Sequence, residues 1–135
     1  MALDVGDVRI GIAVSDSMCI IANPLETYTR KGTDVDFTYI VNLAKDKEVS
    51  LFVSGLPKSM DNSENAQTAK TRVFIDGLQR FTDVPVKFID ERLTTVSANR
   101  VLIEGNVRRE NRKGVIDKVA ATIILQNYLD YYYKK

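Results

Sequence analysis

The sequence contains no histidine and only one cysteine, Cys19. Without an imidazole, Ser-His and Cys-His nucleophilic catalysis are excluded, and so are the usual zinc ligand sets. A lone cysteine forms no internal disulfide, and such sparing use of cysteine fits a reducing compartment. No apolar run approaches the roughly 20 residues that a membrane-spanning helix requires. The amino terminus, MALDVGDVRIGIAVSD, lacks the basic-then-apolar order of a signal peptide, so the cytoplasm is the expected location. Charge of one sign is missing as well. The 19 Lys and Arg against 18 Asp and Glu leave a net +1, so no global field favours a nucleic-acid partner and only a local basic stripe can do so. Internal repeats, low-complexity tracts and linkers are also absent. Any acid–base or metal chemistry therefore falls to carboxylates, lysines and hydroxyls.

What remains is an ordinary globular composition, 44% hydrophobic and 27% charged over 135 residues, which predicts one domain spanning residues 1–135. A chain of this length buries a sufficient core without disulfides or a structural metal. Residues 2–5 and 8–15 are apolar, β-branched runs joined by Gly6-Asp7, and the second alternates Val8, Ile10, Ile12 and Val14 with Arg9, Gly11, Ala13 and Ser15. That pattern predicts a hairpin. A third strand is expected over Leu25–Thr29, after the Asn23-Pro24 breaker.

Thr33–Lys45 places Val35, Tyr39 and Leu43 at helical spacing, with Asp34 and Asp36 in the first turn, where acids favour the helix dipole. Ser50–Ser54 is a short apolar strand. Ser63–Phe81 predicts an amphipathic helix with Ala66, Ala69, Val73 and Leu78 inward, opened by an Asp61/Glu64 capping box. Val86–Ile89 is another strand, Thr94 or Thr95 opens a helix closing at Gly105, and Gly114–Tyr131 is the last helix. This order predicts an α/β protein with a mixed five-stranded sheet and helices packed on both faces.

Three carboxylate positions depart from simple patterning. Asp4 sits inside an apolar strand, where an unpaired charge is costly. It is read either as a functional acid or as a strand-end residue satisfying the Gly6 turn. Asp117 lies on one helical stripe with Ala120, Ala121, Ile124 and Tyr128; it either faces the sheet or favours the helix dipole. Asp90-Glu91 ends a strand, at the edge where open α/β sheets collect ligands, although a surface pairing with Arg92 or Lys87 accounts for it too. Alternation allows at most one of the pair onto the Asp4 side. Three acids without a histidine share one natural purpose, holding Mg²⁺ or Mn²⁺ for phosphodiester chemistry.

The segments D-V-G-x-x-R-I-G-I-A-V-S-D at 4–16, G-L-P-x-x-M-D-x-S-E at 55–64, D-E-R-L-T-T at 90–95 and R-K-x-x-x-D-x-x-A-A at 112–121 occur in this order. Together they resemble the YqgF family, also called RuvX, across nearly the whole chain. That family is described as Holliday-junction-resolvase-like and as a pre-16S rRNA nuclease. The resemblance implies an RNase H-like fold and nuclease activity on structured RNA, with pre-16S rRNA the favoured substrate and branched DNA the alternative. It assigns the catalytic, metal-holding carboxylates to Asp4, Glu91 (preferred over Asp90) and Asp117. The chain departs from the family at Asp7 and Val8, which replace a small hydroxyl residue and a lysine or other polar residue.

Beside Asp117, the cations Arg108, Arg109, Arg112 and Lys113 form a candidate nucleic-acid clamp, with Arg9 on the second strand, although a solvated basic loop has the same composition. Ser63 stands at a helix amino terminus that either binds phosphate or is merely capped. Tyr131–Tyr133 either stack on bases or pack. Monomer and homodimer both fit, and so does a catalytically silent ribosome-assembly factor. An actin-like ATPase needs two lobes, which a single short domain does not supply.

Overall fold

A computed structural model describes residues 1–57, 65–90 and 112–133, the side chains of residues 112–117 excepted. The strands are β1 (Ala2–Val5), β2 (Arg9–Ser15), β3 (Ala22–Thr29), β4 (Phe52–Leu56) and β5 (Val86–Asp90). The helices are α1 (Thr33–Asp46), α2 (Ala66–Gln79) and α3 (Arg112–Tyr128), which runs on into a π-helical turn over Leu129–Tyr133. None of the described helices is long and apolar enough to cross a membrane.

The sheet order is β3-β2-β1-β4-β5. Short links make β1, β2 and β3 an antiparallel meander, whereas the helical crossovers α1 and α2 leave β1, β4 and β5 parallel. Alternation divides the strand residues between two cores. Leu3, Ile10, Ile12 and Phe52 face α1 and α2, where they meet Phe37, Ile40, Phe74 and Leu78. Ala2, Ala13, Val53 and Ile89 face α3, where they meet Ala120, Ala121 and Ile124. The expected mixed five-stranded sheet with helices on both faces is what forms.

Several local expectations are corrected. In α1 the buried face is Asp36, Phe37, Ile40, Val41 and Ala44, while Val35 and Tyr39 are exposed. Their stripe is also helical in period, but the aromatic and branched side chains of the neighbouring stripe bury more apolar area. In α2, Ala66, Ala69 and Val73 are likewise exposed. Thr68, Thr71, Phe74, Ile75 and Leu78 face the sheet, so only Leu78 of the expected set is inward.

The capping box of α2 is formed by Asn65 and Thr68 rather than by Asp61 and Glu64, because the helix begins at Ala66. β3 begins at Ala22, before the expected breaker. Pro24 is tolerated because β3 is an edge strand and the pairing shifts register opposite Ile12 and Ala13. β4 continues through Gly55 and Leu56 instead of stopping at Ser54. The helix expected to close at Gly105 lies outside the described residues.

Candidate active site

Asp4 is half-buried on the central strand, paired with Gly11 of β2. The parallel register Ala2–Val53 and Leu3–Ser54, continued by one step, brings Gly55 to its other side. Asp4 therefore stands between two glycines on its strand row, with no side chain beside it from either neighbouring strand in that row. Asp4 shares its pleat face with Ala2, the face covered by α3. In the Gly6 turn, Gly6 N–H donates to the Arg9 carbonyl at 2.9 Å, and the Gly6 carbonyl accepts from Arg30 Nη1 at 3.0 Å.

One strand, β4, separates β1 from β5, so the two lie on the order of 10 Å apart. Ile89 packs in the core beneath α3, and the pleat therefore sends Asp90 to the opposite face. Asp90 does not share the Asp4 side. Glu91 lies outside the described residues, as do Ser63, Arg108 and Arg109.

Helix α3 is fixed at its carboxyl-terminal half. Gln126 Oε1 accepts from Ala22 N–H at 2.8 Å, and Gln126 Nε2 donates to the Ile20 carbonyl at 3.0 Å. Ala22 pairs with Ser15, at the end of the sheet remote from Asp4. Asp117 lies one turn before Ala120 and Ala121, which pack on the sheet face of Ala2, the face that Asp4 shares. The side chains of Arg112, Lys113 and Asp117 lie outside the description.

Arg9 opens β2 opposite Thr29, and by alternation it occupies the same sheet face as Gly11 and Asp4. The additional acid at Asp7 is turned to α2, where its carboxylate lies 3.4 Å from Lys70 Nζ, with both side chains well exposed. Asp16, the last residue of the first motif, sits at the far end of β2 as a turn staple. Its Oδ1 accepts from the amides of Ile20 and Ile21 at 2.8 and 3.1 Å, which hold its pKa below the ordinary value.

Sequence reasoning missed the group that secures the turn after Asp4. Asp36, read as a first-turn acid, is buried; it accepts from Tyr28 Oη at 2.8 Å, Arg30 Nε at 3.1 Å and Lys31 N–H at 2.9 Å. Burial acts to raise its pKa, but these hydrogen bonds outweigh burial and hold it below the ordinary carboxylate value. Tyr28 is pushed up to about 12 by burial and by donating to Asp36. The available signal was the position of Asp36 beside Phe37, on the stripe shared with Ile40.

Oxygen donors such as Asp4 suit a hard divalent cation. Among the described residues no three acids, cysteines or histidines cluster as a metal site. Asp4 is the one member of the expected acid set whose side chain is described.

A mixed sheet in this order, with helices on both faces and a terminal helix returning over a central-strand acid, defines an RNase H-like domain. The same fold occurs in Thermus thermophilus RuvC in complex with Holliday junction substrate (TM-score 0.59, 12% identity, 98% of this chain and 94% of that one). A further Thermus thermophilus RuvC structure superposes with a TM-score of 0.55 at 10% identity, with the same coverage. The model of the RuvX family, described as Holliday junction resolvase, matches residues 1–131. Relatives from Halothermothrix orenii (53% identity, 97% of this chain and 94% of the relative) and Clostridioides difficile (46%, 97% and 93%) are each named "Putative pre-16S rRNA nuclease". So is one from Ruegeria pomeroyi (45%, 95% and 83%). The chain belongs to the RuvX family.

Proposed function

We propose that this protein is a Mg²⁺- or Mn²⁺-dependent endonuclease of the cytoplasm that cleaves structured RNA, with the precursor of 16S rRNA as its substrate. The observation that carries this reading is the placement of Asp4, a carboxylate between glycines on the central strand, on the sheet face that α3 covers. Asp4, Glu91 and Asp117 hold the cation, Glu91 being the acid of its pair left for this side once Asp90 is turned away. The cation supplies charge neutralisation and Lewis acidity at the scissile phosphate.

Arg9 shares the sheet face of Asp4, and Arg108, Arg109, Arg112 and Lys113 lie in the segment that runs into α3. These cations hold phosphates without reading sequence, so affinity falls steeply with salt. Ser63 adds a hydroxyl contact near the start of α2. The family names of the relatives favour RNA, whereas the RuvC neighbour solved on a Holliday junction favours branched DNA as the second reading.

The test is cleavage of purified precursor RNA by wild type and Asp4→Asn in Mg²⁺ and in Mn²⁺, with a four-way DNA junction as competitor. Asp4→Asn is expected to lose cleavage by more than about 100-fold, since even indirect metal supports cost 10–100-fold, while RNA binding persists. Equal activity in wild type and variant would remove the metal-nuclease reading. Preferential cleavage of the junction would transfer it to DNA.

A further inference from the structure

We propose that Arg30 is a positioning residue for the Asp4 carboxylate, acting through the backbone of the Gly6 turn; the inference rests on the proposed role of Asp4 in holding a divalent cation. Gly6 follows Asp4 by two residues, and its conformation sets where β1 ends. The turn is tight. A Cβ on Gly6 would lie 2.7 Å from the Arg9 carbonyl oxygen, so the chain here has little freedom except through its hydrogen bonds.

Arg30, the residue just past the end of β3, supplies two of them. Its backbone N–H donates to the Val8 carbonyl at 2.9 Å, and Nη1 donates to the Gly6 carbonyl at 3.0 Å. The guanidinium is itself immobilised: Nε donates to the buried Asp36 carboxylate at 3.1 Å, and its carbon lies 4.9 Å from the centroid of the Phe74 ring. One planar cation thus joins α1, α2 and the end of β1. A lysine has no fork with which to reach Gly6 and Asp36 together while stacked on a ring. Second supports of this kind orient a ligand without touching the metal, and their loss typically weakens metal affinity 10–100-fold. A carboxylate on a four-residue strand is sensitive to such support, because little regular pairing extends beyond it.

The experiment is Mn²⁺ titration by electron paramagnetic resonance of wild type, Asp4→Asn, Arg30→Met and Tyr28→Phe, with a melting curve for each in the absence of metal. Tyr28→Phe removes a different hydrogen bond to Asp36 and leaves the Arg30–Gly6 contact, so it reports a purely structural loss. Arg30→Met is expected to weaken Mn²⁺ binding by about tenfold or more, and to raise by the same factor the Mn²⁺ needed for half-maximal cleavage, with most of kcat restored at saturation. Tyr28→Phe is expected to melt earlier with Mn²⁺ affinity within twofold of wild type.

Unchanged Mn²⁺ affinity in Arg30→Met, with binding lost in Asp4→Asn, would overturn this inference and leave the metal reading standing. An equal weakening in Tyr28→Phe would also overturn it, since the whole network would then act merely as structure. Identical binding by wild type and Asp4→Asn would overturn both. If Arg30→Met does not fold, Arg30→Lys carries the test: threefold or greater weakening supports the clamp, and wild-type affinity refutes it.

Discussion

Asp4 and Asp36 are both acids in apolar surroundings, and they do opposite work. Asp4 interrupts a strand whose other residues are buried, and that interruption made it visible in the sequence. Asp36 sits in a helix first turn, where an acid is commonplace, so its one sequence signal, the stripe it shares with Ile40, was easily passed over. Its carboxylate accepts from a phenol, a guanidinium and an amide, and removing it leaves the Arg30 guanidinium, only partly exposed, without its counter-ion. Asp36→Ala should therefore destabilise the fold by about 3 kcal/mol, toward the lower end for breaking a buried pair because Arg30 retains some solvent. Urea denaturation measures it; a loss below about 1 kcal/mol would mean the network contributes no more than a surface pair. Arg9, by contrast, is proposed to contact phosphate. Arg9→Gln should lower the salt slope of RNA binding by about 1, read from affinities at several salt concentrations, with no change in sequence preference.

The elements show how far periodicity carries. Every described helix was anticipated, yet in α1 and α2 the wrong stripe was chosen, because two adjacent stripes of an amphipathic helix share the same period and only the partner surface selects between them. In α1 the choice falls to Phe37, whose ring lies 4.9 Å from that of Phe74 and 5.2 Å from that of Phe81. Gly77 of α2 exists for that ring: a Cβ there would lie 2.5 Å from it. Gly77→Ala should consequently destabilise by about 1–3 kcal/mol through overpacking, even though alanine gains about 1 kcal/mol in helix propensity. A thermal melt decides the sign, and a stabilised variant would show that the ring moves freely. At the amino end of α2, Asn65 accepts from Thr68 N–H at 3.0 Å, and Thr68 Oγ1 donates to the Pro57 carbonyl. Asn65→Ala should cost about 1 kcal/mol.

At the scale of the molecule, linkage gives a pH dependence with a definite sign. Asp36 has a folded pKa below its ordinary value of 3.8, so its contribution is fully present above that value and is lost as pH falls through the lower, folded one. Tyr28 has a folded pKa of about 12 against an ordinary 10, so its contribution is complete below pH 10 and disappears between about 10 and 12. Chemical denaturation from pH 2 to 12 should show both limbs. Asp36→Ala should flatten the acid limb, and Tyr28→Phe the alkaline one. Persistence of both limbs in these variants would assign them to other groups.

The sequence alone determined the layer architecture and the alternation that lets at most one of Asp90 and Glu91 share the side of Asp4, because pleat and helical period are properties of the local backbone. It also placed Asp4, as an expensive charge in an apolar strand, and it carried the motifs that resemble the RuvX family. Tertiary structure decided what local chemistry leaves degenerate. It selected the stripe of α1 and α2 that is buried, let Pro24 remain in a strand because that strand is an edge, and laid α3 over the sheet face that carries Asp4. It also turned Asp36 from a helix-end acid into the buried counter-ion of Arg30. These outcomes depend on contacts between residues distant in sequence, whose energies exist only once both surfaces are present. The contact of Arg30 with the Gly6 turn is of that kind, and it is where the metal-holding role proposed for Asp4 meets the packing of the molecule.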